Sequence, residues 1–201
     1  MGRDSGQTGE RFLLWIDAVG GYLVLMQDEV VLGQPAPQSR ADVPILGDIS
    51  GRHARICRDG EGYLLEALRP AWVNGRSAAP TAMLTDGSTI RLGDAVNLSF
   101  RRPHALSATA RLDFLSPHRT QPSVDAVLLM ADSCVLGPRP QSHVMCRHWP
   151  NEVILYRYED RLQCRTRGWI EIDGVKYKDR GPVRLGSRIV GEPFSMSLEA
   201  F

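Results

Sequence analysis

The stretch Asp48-Ile-Ser-Gly-Arg-His-Ala-Arg-Ile56, followed by Trp72-Val-Asn-Gly75 and then by Leu92-Gly93, decides the reading of this chain. Ala54 and Ile56 alternate with Arg55 and Cys57, so a strand leaving the Ser50/His53 loop presents one apolar face. Asn74-Gly75 supplies a hairpin turn, because both residue types tolerate the positive φ that a two-residue turn demands. Outward from this region the same pattern continues. Strands are expected over 11–16, 22–26, 29–32, 52–58, 62–67, 72–73, 88–91 and 96–100, with turn signals such as Asp59-Gly60 and Asp86-Gly87 between them. Short strands broken by turns at intervals of about ten residues specify a β-sandwich. No segment carries the periodicity of an amphipathic helix.

The chain then repeats itself. Leu25-Met-Gln-Asp-Glu-Val-Val-Leu-Gly33 lines up with Leu129-Met-Ala-Asp-Ser-Cys-Val-Leu-Gly137, an offset of 104. Downstream, Asn74-Gly75 maps onto Asp173-Gly174 at 99, and Arg91-Leu-Gly93 onto Arg184-Leu-Gly186 at 93. Such shortening is absorbed by loops and not by paired strands. The expectation is an all-β protein of two tandem sandwiches, residues 1–103 and 104–201, each long enough to bury its own core. Segment 111–115 aligns with 11–16 as a first strand. The junction between Phe100 and Arg111 is short, so the halves are expected to pack together over roughly 600–1,500 Å².

The whole series, Gly33 … Ser50-x-x-His53 … Asn74-Gly75 … Ile90-Arg-Leu-Gly93, resembles the forkhead-associated (FHA) domain. That resemblance implies a sandwich whose loops grip a phosphothreonine peptide. In the family the phosphate is held by an arginine just after the first glycine, by the Ser-x-x-His serine, and by polar groups of the next loop. Arginine and hydroxyl donors recur there because phosphate takes short, charge-assisted hydrogen bonds. The resemblance makes Ser50 the phosphate contact and His53 the brace of its loop, supported by Gly33 and Asn74. It also exposes departures. Gln34 stands where the family has its arginine, and Gly51 where Arg or Asn usually follows the serine. Arg69 stands where an asparagine, five residues before the hairpin Asn, reads the threonine. Two lost anchors cost roughly 3–5 kcal/mol at the value of hydrogen bonds to charged groups. Arg40, Arg52 and Arg69 are the residues able to restore the missing charge. In the second half Trp149 falls opposite Ser50 and Glu152 opposite His53, so that half reads as a degenerate copy without a phosphate pocket.

The resemblance thus implies a non-catalytic interaction module whose partner is a protein carrying phosphothreonine, in a signalling pathway. The alternative is a phospho-independent scaffold or adaptor using the same loops or the interdomain surface. Composition excludes other classes. Net charge is +1, divided as −1 over residues 1–102 and +2 over 103–201, far from the basic balance of a nucleic-acid binder. No apolar run is long enough to span a membrane, and residues 1–10 lack the apolar core of a signal peptide, so a cytoplasmic location is expected. Cys57, Cys134, Cys146 and Cys164 fall at unrelated repeat positions and read as reduced packing residues. Cys146-Arg-His148 lacks a second ligand pair at zinc spacing, so no metal or other cofactor is expected. Asp48, Ser50 and His53 name triad residue types, but without the flanking glycines and helix of a nucleophile elbow.

Overall fold

A computed structural model describes residues 11–36, 40–60, 62–159 and 161–201, and every regular element among them is a strand. The first half comprises β1 (Arg11–Ile16), β2 (Gly20–Leu25), β3 (Glu29–Gly33), β4 (Val43–Leu46), β5 (Ala54–Asp59), β6 (Gly62–Ala67), β7 (Ala71–Val73), β8 (Arg76–Ser77), β9 (Thr81–Leu84), β10 (Thr89–Leu92) and β11 (Val96–Arg101). The second comprises β12 (Ala110–Phe114), β13 (Arg119–Thr120), β14 (Ala126–Leu129), β15 (Ser133–Gly137), β16 (Val144–Met145) and β17 (Val153–Tyr158). It continues through β18 (Arg161–Ile172), β19 (Val175–Val183), β20 (Arg188–Gly191) and β21 (Phe194–Ala200). The protein is all-β.

The strands do not close within their own halves. β1 pairs antiparallel with β21 at the far end of the chain, and β12 pairs with β11. Between them β2 and β14 run parallel, Tyr22 beside Ala126 and Leu25 beside Leu129. The result is a continuous path β20-β21-β1-β2-β14-β12-β11-β10 through the middle of one large sheet. Each half is completed by the first strand pair of the other.

Residue patterning explains why these strands can sit there. Phe12-Leu-Leu-Trp-Ile16 does not alternate polar with apolar, as a strand with one wet face would. Phe12, Leu14 and Ile16 enter a core with Leu136, Leu155, Leu162 and Ile170 of the second half. Leu13 and Leu23, on the opposite face, join the first half's Leu32, Ile56, Leu65 and Phe100. Near-continuous apolar runs are what a sheet covered on both faces requires. The traffic is reciprocal, since Leu112, Val127 and Leu129 complete the first half's core. The connector after β11 is tied down as well. Thr109 Oγ1 donates to Ser133 O at 2.6 Å, and Tyr63 Oη donates to Ala108 O at 2.7 Å. The contact between halves is therefore a shared sheet with shared cores, a tighter union than two surfaces laid together.

A second difference between the halves bears on the site. In the first half β6 and β7 are separate strands, broken at Leu68-Arg-Pro70, where proline lacks the N–H a ladder needs. In the second half β18 runs unbroken through both layers, with a bulge between Arg165 and Trp169, and so joins what remain two sheets in the first half. A separate six-stranded sheet, β13-β4-β3-β5-β6-β9, covers the first core.

Because both cores draw on β1, β2, β12 and β14, thermal unfolding of the whole chain should be one cooperative transition. Truncating the fully buried Leu14 to Ala should lower stability by about 2–5 kcal/mol and move that single transition as a unit. Calorimetry resolving two transitions, only one of which shifts, would contradict the shared-sheet account.

Candidate functional site

His53 is the node of the loops at one end of the first sandwich. Its side chain is 4% exposed and spans two loops. Nδ1 accepts from the Ser50 N–H at 3.2 Å, so Nε2 carries the proton and donates to Pro70 O at 2.9 Å. The His53 backbone continues the tie, its N–H donating to Leu32 O and its carbonyl accepting from Arg69 N, both at 2.9 Å. Ser50 O accepts from Gln34 N at 3.0 Å, and Pro70 O also accepts from Gly93 N at 3.1 Å. One imidazole thereby locks together the end of β3, the loop entering β5, the loop between β6 and β7, and the turn after β10.

Gly33 belongs to the same arrangement for a steric reason. A Cβ there would lie 2.0 Å from Gly51 O, so only glycine lets β3 approach the Ser50 loop this closely. Ser50, Gln34, Arg52 and Arg69 are consequently gathered at neighbouring loop tips. Ser50 is half-buried and its hydroxyl has no partner among the described residues. Gln34, Arg52 and Arg69 are exposed. Arg69 Nη1 reaches only the neighbouring Leu68 O at 3.2 Å, and no described ion pair involves Arg52 or Arg69. The loop tips therefore present hydrogen-bonding capacity and two guanidinium groups without an ion pair among the described residues, with the exposed Asp48 carboxylate in the same loop.

Two expected site residues stand apart. Arg40 is exposed on the loop leading into β4, and no described contact ties it to Ser50. Asn74 occupies the far end of β7 from Arg69 and Pro70. With φ of 52° it forms the turn with Gly75 (φ 78°), and its Oδ1 accepts from Thr89 N at 2.9 Å. It braces the β7–β10 edge and not the Ser50 loop. Conversely, Pro70 went unmarked in the sequence reading, although its carbonyl is the second anchor of His53. The signal available was the proline interrupting an apolar run. Arg91 stacked 3.7 Å over the Trp72 ring was likewise unmarked.

The second half lacks this constellation. Trp149 is 6% exposed and packs against Phe194 with ring centroids 4.8 Å apart, a core residue where the first half has Ser50. Glu152 faces Arg139 at 3.7 Å, and Gly168 stands at the repeat position of Arg69. The same backbone donor is nevertheless capped in both halves. Asp42 Oδ2 accepts from Val31 N at 2.8 Å, and His143 Nδ1 accepts from Val135 N at 2.9 Å. Burial forces the Cys134, Cys146 and Cys164 thiols up to about 12 and raises Cys57 also, so these sulfurs stay protonated. Among the described residues no cluster of three metal-ligating side chains occurs, and no helix is long and apolar enough to cross a membrane.

A family model for the FHA domain matches residues 30–93, the span that contains the His53 node and every loop it ties. This chain belongs to the FHA family. Among solved structures it is similar to the Rv0020c FHA domain, with 30% identity over 46% of this chain and 91% of that one, at a TM-score of 0.29. It is also similar to a domain described in a structural and functional analysis of phosphothreonine-dependent FHA domain interactions, with 28% identity over 41% and 88% and a TM-score of 0.31. A third similar structure is the N-terminal FHA domain of EssC, a component of a bacterial Type VII secretion apparatus, with 13% identity over 94% and 92% and a TM-score of 0.25. A comparison with curated proteins found no match. The FHA match begins at β3, so the exchanged pair β1–β2 lies outside it.

Two predictions follow from the buried histidines. His53→Ala should strand the Ser50 N–H and one bond of Pro70 O, lowering stability by about 2–4 kcal/mol in denaturant titration. Burial, reinforced by the charge of neighbouring His104, lowers His143 from 6.5 to about 4, while backbone groups of Thr109 and Val135 oppose the shift. The unfolded chain takes up this proton first, so the stabilisation is complete above pH 6.5 and lost as pH falls through 4. The loss amounts to about 3 kcal/mol. His143→Gln, whose amide oxygen can still accept from Val135, should flatten that part of the stability profile between pH 7 and 4. An unchanged profile would remove His143 as its source.

Proposed function

We propose that the first half of this FHA protein binds phosphothreonine segments of partner proteins, as a non-catalytic interaction module. Ser50, Arg52 and Arg69 supply the phosphate contacts, Gln34 forms the rim, and Arg40 is the further cation available on the adjacent loop. The observation carrying this reading is the His53 node. It fixes the unpartnered Ser50 hydroxyl beside the tips bearing Arg52 and Arg69, neither of which meets a carboxylate among the described residues. Guanidinium groups suit this task because their fork matches two phosphate oxygens at once. Preorganisation by the buried imidazole reduces the ordering cost of binding.

The second half, on this proposal, is a degenerate copy retained for structure. The matching caps by Asp42 and His143 and the buried Trp149 support that reading. The competing reading is a phospho-independent scaffold using the same loops, and it draws on Gln34 standing where the family carries arginine. Its interdomain-surface version has less room, since the halves are joined through continuous strand pairing.

Calorimetric titration with matched phosphorylated and unphosphorylated threonine peptides separates the two. Ser50→Ala should weaken phosphopeptide binding roughly 5- to 30-fold, about 1–2 kcal/mol, with little change in stability. Gln34→Arg, at an exposed position, should strengthen it by a similar factor. Equal binding of both peptides by the wild type and by Gln34→Arg would overturn the phosphate reading in favour of the scaffold.

A further inference from the structure

We propose a second anion site, distinct from the Ser50 loops, in the seam where β11 meets β12. Its ligand is a tetrahedral oxyanion, either inorganic phosphate or a phosphate monoester. A pocket of about 400 Å³ opens there, lined among others by Arg101, Arg111, Asp113, Ser142, His143 and Arg147. The first three come from the two paired strands, and the others from the loop between β15 and β17.

The strand register is the decisive observation. Arg101 and Arg111 are direct partners across the antiparallel pair, which places two guanidinium-bearing side chains opposite one another on one face. Like charges in that position destabilise a sheet. Arg111 is satisfied locally, with Nε and Nη2 on Asp113 Oδ1 at 2.7 Å and Nη1 on His143 O at 3.0 Å. Arg101 has neither an ion pair nor a hydrogen bond among the described residues. Arg147 adds a third cation and, among the described residues, engages only Met145 Sδ at 3.4 Å. One carboxylate against three guanidinium groups leaves the pocket strongly positive.

The lining adds a second, independent sign. Among the described residues Ser142 Oγ is buried without a hydrogen-bond partner, and the buried His143 Nε2 has only a contact with the Thr109 backbone that falls short of ordinary hydrogen-bond geometry. Nδ1 of His143 is already an acceptor, so Nε2 carries a proton and is a donor. Buried polar groups are ordinarily satisfied, and an unpartnered hydroxyl on a residue lining an open basic pocket marks a place where a partner is missing. A dianion reaching Arg101 and Arg147 offsets the cross-strand repulsion and offers acceptors to this wall. The site exists because the strands are exchanged: Arg101 and Arg111 would not be neighbours if β11 closed on β1.

The test is thermal unfolding of the full chain at pH 7 in sodium phosphate against sodium chloride of equal ionic strength. Phosphate at several times its dissociation constant should raise Tm by about 2–4 °C over chloride. On the Ser50→Ala background, which weakens the phosphothreonine site, Arg147→Gln should abolish that rise. Arg101→Gln should abolish it too, and should raise Tm in chloride, because the repulsion goes with the charge. Ser50→Ala should leave the phosphate response intact, which separates this site from the phosphothreonine reading above. A phosphothreonine peptide tested on the Ser50→Ala background tells the sources apart: a Tm rise that Arg147→Gln removes assigns the seam to a phosphate monoester, and a rise with inorganic phosphate alone assigns it to the free anion. Equal Tm in phosphate and chloride, or a phosphate response on the Ser50→Ala background that Arg101→Gln/Arg147→Gln leaves undiminished, would overturn the proposal.

Discussion

The parallel contact between β2 and β14 is the constraint on which the rest of this molecule depends. It sits at the centre of a sheet covered on both faces, with Leu23 directed to one core and Val24 to the other. Every residue of β14 is buried, as are the last five of β2. Because the pair is buried on both sides, neither half can be completed without the other's leading strands. The pairings β1–β21 and β11–β12 then follow as the outer neighbours of this central unit.

The loop architecture is a local solution set on that base. A single buried imidazole does for the loops what the ladder does for the strands. It satisfies a donor in one loop and an acceptor in another, so the chain can pass from β3 to β10 through irregular backbone without orphaned groups. The second half reaches an equally closed arrangement by other means. It fills the corresponding space with Trp149 against Phe194 and runs β18 straight through where the first half breaks. A loop built around a bonding side chain leaves polar tips free for ligands, whereas one filled by an aromatic ring does not.

The sequence showed much of this and concealed a specific part. Strand positions and the Asn74-Gly75 turn were legible because alternation and turn chemistry are local. The grouping of Ser50, His53 and Arg69 was legible only through the family resemblance; a proline interrupting an apolar run marks the strand break at Pro70 but not the bond its carbonyl accepts. Asn74 forms the expected turn with Gly75, but its distance from the Ser50 loop was not legible, because hairpin spacing gives a position along the chain and not a position in the loop cluster. The exchange of strands was hidden for a related reason. β1 and β12 align with each other in the repeat, and either could pair with β11 by pattern alone. The one clue was Phe12-Leu-Leu-Trp-Ile16 itself, apolar on both faces where a sandwich strand should have a wet side.

The register Phe12 to Ala200 has a consequence for synthesis on the ribosome. β1 pairs at once with β2 but finds its second neighbour only after β21 has been made, and β11 stays unpaired on one side until β12 follows it. Contacts of such sequence separation slow folding and leave apolar surface uncovered in the meantime. Leu14 and Ile16, fully or almost fully hidden in the finished molecule, therefore wait for their final partners until β21 is made. The nascent β1–β2 hairpin thus carries apolar surface that waits for cover until the far strands arrive.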